Sequence, residues 1–129
     1  MDWTLKNSCL NFARKYAVAI IGGSVAIEKD GKFYNTTYVY NKSGDLINTY
    51  SKAHLFGLMA EDQYMSAGSN ESVFELDGVI AASVICYDIR FPEWVRTQMA
   101  QWRQGTFCGS AVAGTSSAAM GDFVKGACG

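Results

Sequence analysis

Two residues of this chain have the chemistry of a nucleophilic enzyme, and each stands where a strand-like segment ends. Cys86 follows an apolar run in SVICYDIRFPEW, residues 83–94. A thiol is strongly nucleophilic only as the thiolate, and its ordinary pKa of ~8.5 calls for a neighbouring cation or base. Lys52 ends the strand-like part of YSKAHLF, residues 50–56. An ammonium group beside a thiol favours the thiolate and donates to a carbonyl oxygen that becomes negative. The pair therefore indicates attack on a carbonyl carbon.

Neighbouring residues add candidates and leave alternatives open. The N–H of Tyr87, directly after Cys86, can point at a developing oxyanion. Alternation along an extended segment puts His54 on the same side as Lys52, so either or both can line the site. A pair of Cys86 with His54 as base is therefore an alternative. Each candidate also has a purely structural interpretation, as a core-facing cysteine, a solvated lysine or a hydrogen-bonded histidine.

The elements before residue 53 can be predicted from periodicity and turns. We expect a helix over residues 3–16, whose apolar face is formed by residues at helical spacing: Trp3, Leu5, Leu10, Phe12 and Ala13. A meander of three antiparallel strands follows over 17–27, 33–41 and 46–52, with a strong Asp-Gly turn at residues 30–31. Its first strand is dense in Val and Ile, which predicts burial, and the pair Gly22-Gly23 indicates a bulge or a close backbone approach.

The second part of the chain carries the thiol. Residues 53–72 lack clear periodicity and form a long connection, which is often a functional feature. A hairpin over 72–76 and 79–88 follows, and its almost wholly apolar second strand is expected to lie centrally in a sheet. Pro92 indicates the start of a helix over 91–102.

Composition excludes several classes of protein. The chain has 129 residues, of which 49% are apolar and 18% charged, with a formal net charge of -1, which suits one globular domain. It has no basic cluster for nucleic acid, no apolar run of the ~18 residues that span a membrane, and no secretion signal, so a cytoplasmic protein is expected. The 4 cysteines are far apart and His54 is the single histidine, which disfavours metal sites and disulfides.

Four segments in order, GGSVAI, NTTYVYNKSGDLINTYSKAHLF, YMSAG and VICYDIRFPEW, resemble the nitrilase superfamily of carbon–nitrogen hydrolases. The likeness is greatest to its ω-amidase and deaminated-glutathione-amidase group, and it spans residues 3–101 as one partial domain. The resemblance implies an α/β fold, part of an α-β-β-α sandwich with a mixed sheet and flanking helices. It also implies no cofactor, a small-molecule amide substrate, homodimeric full-length relatives, and a reaction through a cysteine thioester.

The resemblance also implies the role of each site residue. It makes Cys86 the nucleophile and Lys52 the residue that stabilises the tetrahedral intermediate, with the Tyr87 N–H completing the oxyanion hole. Glu61 would position substrate and Lys52. Independently of the resemblance, the alternation that puts His54 on the side of Lys52 leads us to expect that His54 binds substrate. Structural ion pairs are expected for the charged residues that flank the nucleophile: Asp88, Arg90 and Glu93.

The chain departs from the family pattern at both ends. The general-base glutamate, expected in a Pro-Glu motif upstream of Trp3, is not found. We therefore expect a fragment of an amidase that is inactive as it stands. The alternative is a catalytically dead chain whose role is to pair with another chain. Residues 102–129 are rich in Gly, Ala and Ser and show no pattern, which predicts an aberrant tail outside the native fold. A reading of possible codons shifted by one base restores a strand, a Trp-Pro motif and a helix. We therefore hypothesise a frameshift after about residue 101, which sequencing the coding DNA would test.

Overall fold

The computed structural model of the chain describes residues 2–100, and the predicted tail, 102–129, lies outside them. None of the helices in that range has the length and apolar character that crossing a membrane requires. The elements in chain order are α1 (Asp2–Tyr16), β1 (Ile20–Ile21), β2 (Val25–Lys29), β3 (Lys32–Tyr40), β4 (Leu46–Ser51), a 3₁₀ turn (Gly57–Met59), α2 (Glu61–Tyr64), β5 (Val73–Leu76), β6 (Val79–Ala82), a 3₁₀ turn (Cys86–Arg90) and α3 (Pro92–Met99).

β3 is the middle strand of an antiparallel meander, as predicted. β1 and β2 pair with one edge of β3, and β4 pairs with the other edge. At the turn between β2 and β3, Asp30 and Gly31 have left-handed φ angles of 53° and 74°. Left-handed conformation at both central residues is the type I′ geometry that Asp-Gly favours in hairpins, because its twist matches the twist of the strands.

The first predicted strand is neither continuous nor buried, so that prediction is wrong. The ladder is interrupted at residues 22–24, between β1 and β2. Gly22 lies so close to β3 that an added Cβ would stand 3.2 Å from the carbonyl oxygen of Tyr38, to which the Gly22 N–H donates at 2.9 Å. The glycine pair therefore marks a close backbone approach, as predicted. Ile21 is exposed because, within the described residues, β1 and β2 form an edge of the sheet.

Alternate side chains of β3 face two different apolar clusters. Tyr38 and Tyr40 pack with Ala13 of α1 on one face of the meander. Val39 lies between them in sequence and packs on the other face, against Phe74 and other residues of the β5–β6 hairpin. The period of two along a strand thus places a helix on one side of the meander and a hairpin on the other.

The buried face of α1 differs in part from the prediction. Ala13 is fully buried, and Cys9 and Leu10, one helical turn earlier, pack against the same cluster. Phe12 is 53% exposed and contacts Tyr16 on the helix surface, so its predicted place on the buried face is wrong. The side chains of two further residues assigned to that face lie outside the described ones: Trp3 and Leu5.

The second strand of the β5–β6 hairpin ends earlier than predicted. β6 stops at Ala82, although residues 83–85 remain buried as expected. Two hydrogen bonds join Asp88 to Ile85. The Asp88 N–H donates to the Ile85 carbonyl oxygen, and the Ile85 N–H donates to Asp88 Oδ2, each at 3.1 Å. These two bonds turn the chain into a 3₁₀ turn before a longer strand can form. Within residues 2–100 the ladder partner of β6 is β5, so its expected central position is not seen.

The long connection predicted over 53–72 is present and folds back onto β4. The N–H of Gly68 donates to the carbonyl oxygen of Lys52 at 2.8 Å, and the N–H of Ser66 donates to Phe33 at 2.7 Å. A Cβ on Gly68 would collide with the backbone of Ser51, so this close return requires glycine. The connection is thereby held against the end of the strand that carries Lys52.

Candidate active site

Lys52 and Glu61 form an ion pair just beyond β4, in which the lysine is buried and the glutamate is partly buried. Lys52 Nζ lies 2.6 Å from Glu61 Oε2, and the two side chains are 3% and 17% exposed. The backbone of Lys52 is fixed on both sides, since its N–H donates to Asn35 and its carbonyl accepts from Gly68, both at 2.8 Å. The structure thus brings together two predicted site residues, and the interpretation of Lys52 as a solvated surface lysine is wrong.

Glu61 is held in its ionised form. Its Oε2 accepts the Phe56 N–H at 2.9 Å as well as the Lys52 ammonium, and the Asn35 side chain provides a further hydrogen bond. Burial alone would raise the pKa of Glu61, but these hydrogen bonds and the positive charge of Lys52 outweigh it and hold the pKa below its usual value. Glu61 is therefore a carboxylate that pairs with the Lys52 ammonium.

Cys86 is exposed and occupies a strained backbone position. It is the first residue of a 3₁₀ turn and has a left-handed φ of 47°. For a residue with a side chain such a conformation costs on the order of 1–3 kcal/mol, and it persists only when the surroundings impose it. The core-facing interpretation of this cysteine is wrong, because the side chain is open to solvent at the tip of the turn.

Tyr87 follows the thiol at the start of the same turn. The first backbone hydrogen bond of the turn runs from the Asp88 N–H to the Ile85 carbonyl oxygen. The Tyr87 N–H lies one residue earlier, among the first amides of a helical turn, which have no acceptor within that turn. The Tyr87 ring packs on Phe56 and Phe91, with centroids 4.8 and 5.1 Å away. These contacts place the turn against the connection that carries Glu61.

Asp88 is fully buried and joins the end of β4 to the cysteine turn. Its Oδ1 accepts the backbone N–H and the Nδ1–H of His54, each at 2.8 Å. Its Oδ2 accepts the Tyr50 hydroxyl at 2.6 Å and the Ile85 N–H at 3.1 Å. Each carboxylate oxygen thus has two donors, which a buried charge requires.

The other charged residues of the flanking motif lie outside this network. Glu93, which we expected in a structural ion pair, pairs with Arg96 at 3.0 Å on the exposed side of α3. Arg90 is exposed.

His54 is held by its neighbours on several sides. Its ring stacks on Phe91 with centroids 3.9 Å apart and meets the edge of Trp94 at 5.5 Å. The side chain is 25% exposed. His54 contacts Asp88, whereas Lys52 contacts Glu61, so these alternate residues meet different partners. The contacts of His54 agree with its interpretation as a hydrogen-bonded structural histidine. Substrate binding by His54 stays a prediction.

Sequence reasoning missed Tyr50, Trp94 and Asn35. Burial and the charge of Asp88 raise the pKa of Tyr50 far above its usual value, so its hydroxyl stays a donor, and it accepts the Trp94 Nε1–H at 3.2 Å. The alternation of Tyr50 with Lys52 was an available signal. Asn35 gave none, because it reaches Lys52 only through the register of β3 and β4.

The fold is α/β, and comparison with known proteins shows the family of the chain. Residues 3–110 match the carbon–nitrogen hydrolase family model, and the chain belongs to that family. It is 56% identical over 84 residues to a 2-oxoglutaramate amidase of Bacillus subtilis, covering 65% of this chain and 32% of that protein. It is 38% identical over 88 residues to the ω-amidase NIT2 of Danio rerio, covering 63% of this chain and 32% of that protein. The chain thus spans about a third of the length of these curated relatives.

Solved structures confirm the predicted nitrilase-type fold. Nit3 of Saccharomyces cerevisiae, a member of branch 10 of the nitrilase superfamily, superposes with a TM-score of 0.75 at 25% identity, covering 88% of this chain and 41% of that one. An amidase from Nesterenkonia sp. superposes with a TM-score of 0.72 at 20% identity, over 93% of this chain and 45% of that one. The strand pairs in residues 2–100 are all antiparallel, and the mixed sheet stays a prediction.

Proposed function

We propose that this chain carries the nucleophile and the oxyanion-binding groups of an amidase that acts on small ω-amides. The Cys86 thiolate attacks the amide carbonyl carbon, and the oxygen that becomes negative is received by the Lys52 ammonium and the Tyr87 N–H. The C–N bond then breaks, the nitrogen takes up a proton and leaves as ammonia, and a thioester remains on Cys86. Water attacks the thioester to give the carboxylic acid and the free thiol.

One observation carries this proposal. An exposed thiol in a strained conformation sits on a turn that Asp88 ties to the strand end bearing the buried Lys52. A lysine removed from solvent offers its charge to a nearby oxyanion more effectively than a solvated one, because water screens it less. The relatives support the substrate class, since 2-oxoglutaramate amidase and ω-amidase are the names of two of them.

The carboxylates near the site limit what the chain does alone. Glu61 is bonded to Lys52 and Phe56, and Asp88 already accepts four hydrogen bonds, so each is engaged in holding the site. Protonating the leaving amine therefore needs a further acid–base group, and the lack of one slows such a step by roughly 10²–10⁴-fold. We propose that the chain by itself is acylated readily by esters with good leaving groups and only slowly by amides.

The proposal is tested by acylation with 4-nitrophenyl acetate, whose leaving group needs no proton. We expect a burst of 4-nitrophenolate and an acetyl group on the peptide that contains Cys86, as mapped by mass spectrometry. Cys86→Ala should abolish that adduct, and Lys52→Met should slow it by about 10²–10³-fold, the effect of losing one oxyanion donor. Peptide mapping reads Cys9 separately, and this half-buried thiol is the internal control. Equal acetylation of all cysteines, or a rate unchanged in Lys52→Met, would show the proposal to be wrong.

A second candidate is a Cys–His hydrolase, favoured by the bond from His54 Nδ1–H to Asp88 Oδ1 at 2.8 Å. A carboxylate at Nδ1 orients an imidazole as a base in catalytic triads. His54→Gln separates the two candidates, because the backbone bond from residue 54 to Asp88 does not depend on the side chain. If His54 is the base, His54→Gln loses acylation of Cys86 and Lys52→Met keeps most of it. If Lys52 is the oxyanion donor, Lys52→Met loses acylation and His54→Gln keeps most of it.

A further inference from the structure

The four hydrogen bonds of Asp88 bracket both residues of the proposed chemistry. Tyr50 and His54 flank Lys52 at two residues on either side, and both donate to Asp88. Ile85 directly precedes Cys86 and also donates to Asp88, which itself follows Cys86 by two residues. One buried carboxylate thus bonds to residues on both sides of the lysine and spans the cysteine from Ile85 to Asp88.

The same carboxylate accounts for the strained conformation of Cys86. Ile85 and Asp88 are joined twice, by the backbone bond from Asp88 N–H and by the side-chain bond to Ile85 N–H, both 3.1 Å long. This double link closes a short loop in which Cys86, with its φ of 47°, projects outward. A left-handed residue with a side chain persists where its surroundings over-determine it, and the double link provides that constraint.

Aromatic side chains keep water away from this carboxylate. His54 stacks on Phe91, and Trp94 both meets the His54 ring and donates to Tyr50, so α3 closes over the network. Asp88 itself is fully buried. Hydrogen bonds in such an environment are stronger than bonds in water, and the geometry that they impose is correspondingly stiff.

We propose that Asp88 is a positioning residue that sets the Cys86 thiol and Tyr87 N–H relative to the Lys52 ammonium, without touching substrate. This inference rests on the proposed roles of Cys86 and Lys52. Displacing a reacting group by about 1 Å costs ~10²-fold in rate, so loss of the link has a measurable effect on acyl transfer. Alkylation by iodoacetamide needs an accessible thiolate but no oxyanion donor, so it is affected much less.

The test compares Asp88→Asn with Asp77→Asn. Asp77→Asn makes the same chemical change at an exposed turn residue, whose carboxylate lies 3.6 Å from the Lys42 ammonium. Asparagine tolerates the left-handed φ of 49° at this position. For each variant the rate of Cys86 acetylation by 4-nitrophenyl acetate is divided by its rate of alkylation by iodoacetamide. We expect Asp88→Asn to lower this ratio about 10- to 100-fold. Asp77→Asn should leave the ratio at its wild-type value.

A variant with a smaller perturbation keeps the inference testable if Asp88→Asn does not fold, as judged by circular dichroism. Tyr50→Phe removes one of the donors to Asp88 without changing charge, and a reduction of roughly 3- to 10-fold in the same ratio is expected. A wild-type ratio in folded Asp88→Asn, or in Tyr50→Phe when the first variant is unfolded, would overturn the positioning role. Absence of Cys86 acetylation in the wild-type chain would instead overturn the proposed function, and this inference with it.

Discussion

Replacing Glu61 by glutamine tests whether the buried ion pair holds the site. The two charges lie 2.6 Å apart, and at an effective dielectric constant of ~20 their attraction is about 6 kcal/mol. Removing one partner leaves the Lys52 ammonium buried without a counter-charge, for which the typical loss of stability is about 3–5 kcal/mol. Glutamine still offers a neutral acceptor, so we expect Glu61→Gln to lower the free energy of unfolding by about 3 kcal/mol. Urea unfolding followed by circular dichroism measures this.

Glu93→Gln is the matched control for this experiment. It makes the same chemical change to an ion pair whose members, Arg96 and Glu93, are 72% and 80% exposed, and exposed pairs contribute about 0–1 kcal/mol. The double variant Lys52→Met/Glu61→Gln removes both charges and should recover much of the loss. A change below about 0.5 kcal/mol in Glu61→Gln would refute the view that this pair is a stabilising, buried contact.

The pH dependence of the same pair has a defined sign. The folded-state pKa of Glu61 lies below its unfolded value, so its stabilising contribution is fully present above the unfolded pKa and is lost as the pH falls through the folded one. The difference in stability between the wild-type chain and Glu61→Gln should therefore shrink on acidification below the ordinary glutamate pKa of ~4.3. A difference that stays constant through this range would contradict the assignment.

Three further predictions follow from backbone and burial. Iodoacetamide should alkylate exposed Cys86 at least ~10-fold faster than Cys9, whose pKa is raised by burial, as read by peptide mass spectrometry at neutral pH. Cys86→Gly should raise the free energy of unfolding by about 1 kcal/mol while abolishing acylation, because glycine relieves the left-handed strain, whereas Cys86→Ala should not stabilise. Gly68→Ala should lower the melting temperature because its Cβ would collide with Ser51, whereas Gly23→Ala, where the added Cβ meets nothing within 4 Å, should not.

The parts of the fold that follow from local chemistry could be predicted from the sequence. Asp30-Gly31 and Asp77-Gly78 both adopt left-handed angles at both residues, because Asp-Gly tolerates the turn that two twisted strands require. The aromatic and β-branched run that became β3 also carries its own preference for extended backbone. Neither signal depends on distant parts of the chain, so both predictions held.

The features that sequence reasoning missed depend on contacts between distant segments. Whether Lys52 is solvated or buried is decided by the return of the connection through Gly68 and by the position of Glu61, nine residues further on. The exposure of Ile21 likewise follows from its strand lying at an edge, which its apolar composition does not reveal. Glu61 and Glu93 are the same residue type, yet Glu61 is partly buried against a buried ammonium and Glu93 lies in solvent.

The spacing between Cys86 and Asp88 shows how a sequence motif can encode geometry instead of substrate contact. In a 3₁₀ turn that begins at the cysteine, the residue two positions later is the first whose N–H reaches the carbonyl that precedes the turn. A short carboxylate on that residue also reaches the N–H of Ile85, and its second oxygen remains free to accept His54. A glutamate there would be one methylene longer and would displace these donors. The demands of the strained turn thus explain an aspartate two residues after Cys86 without giving its carboxylate a direct part in the reaction.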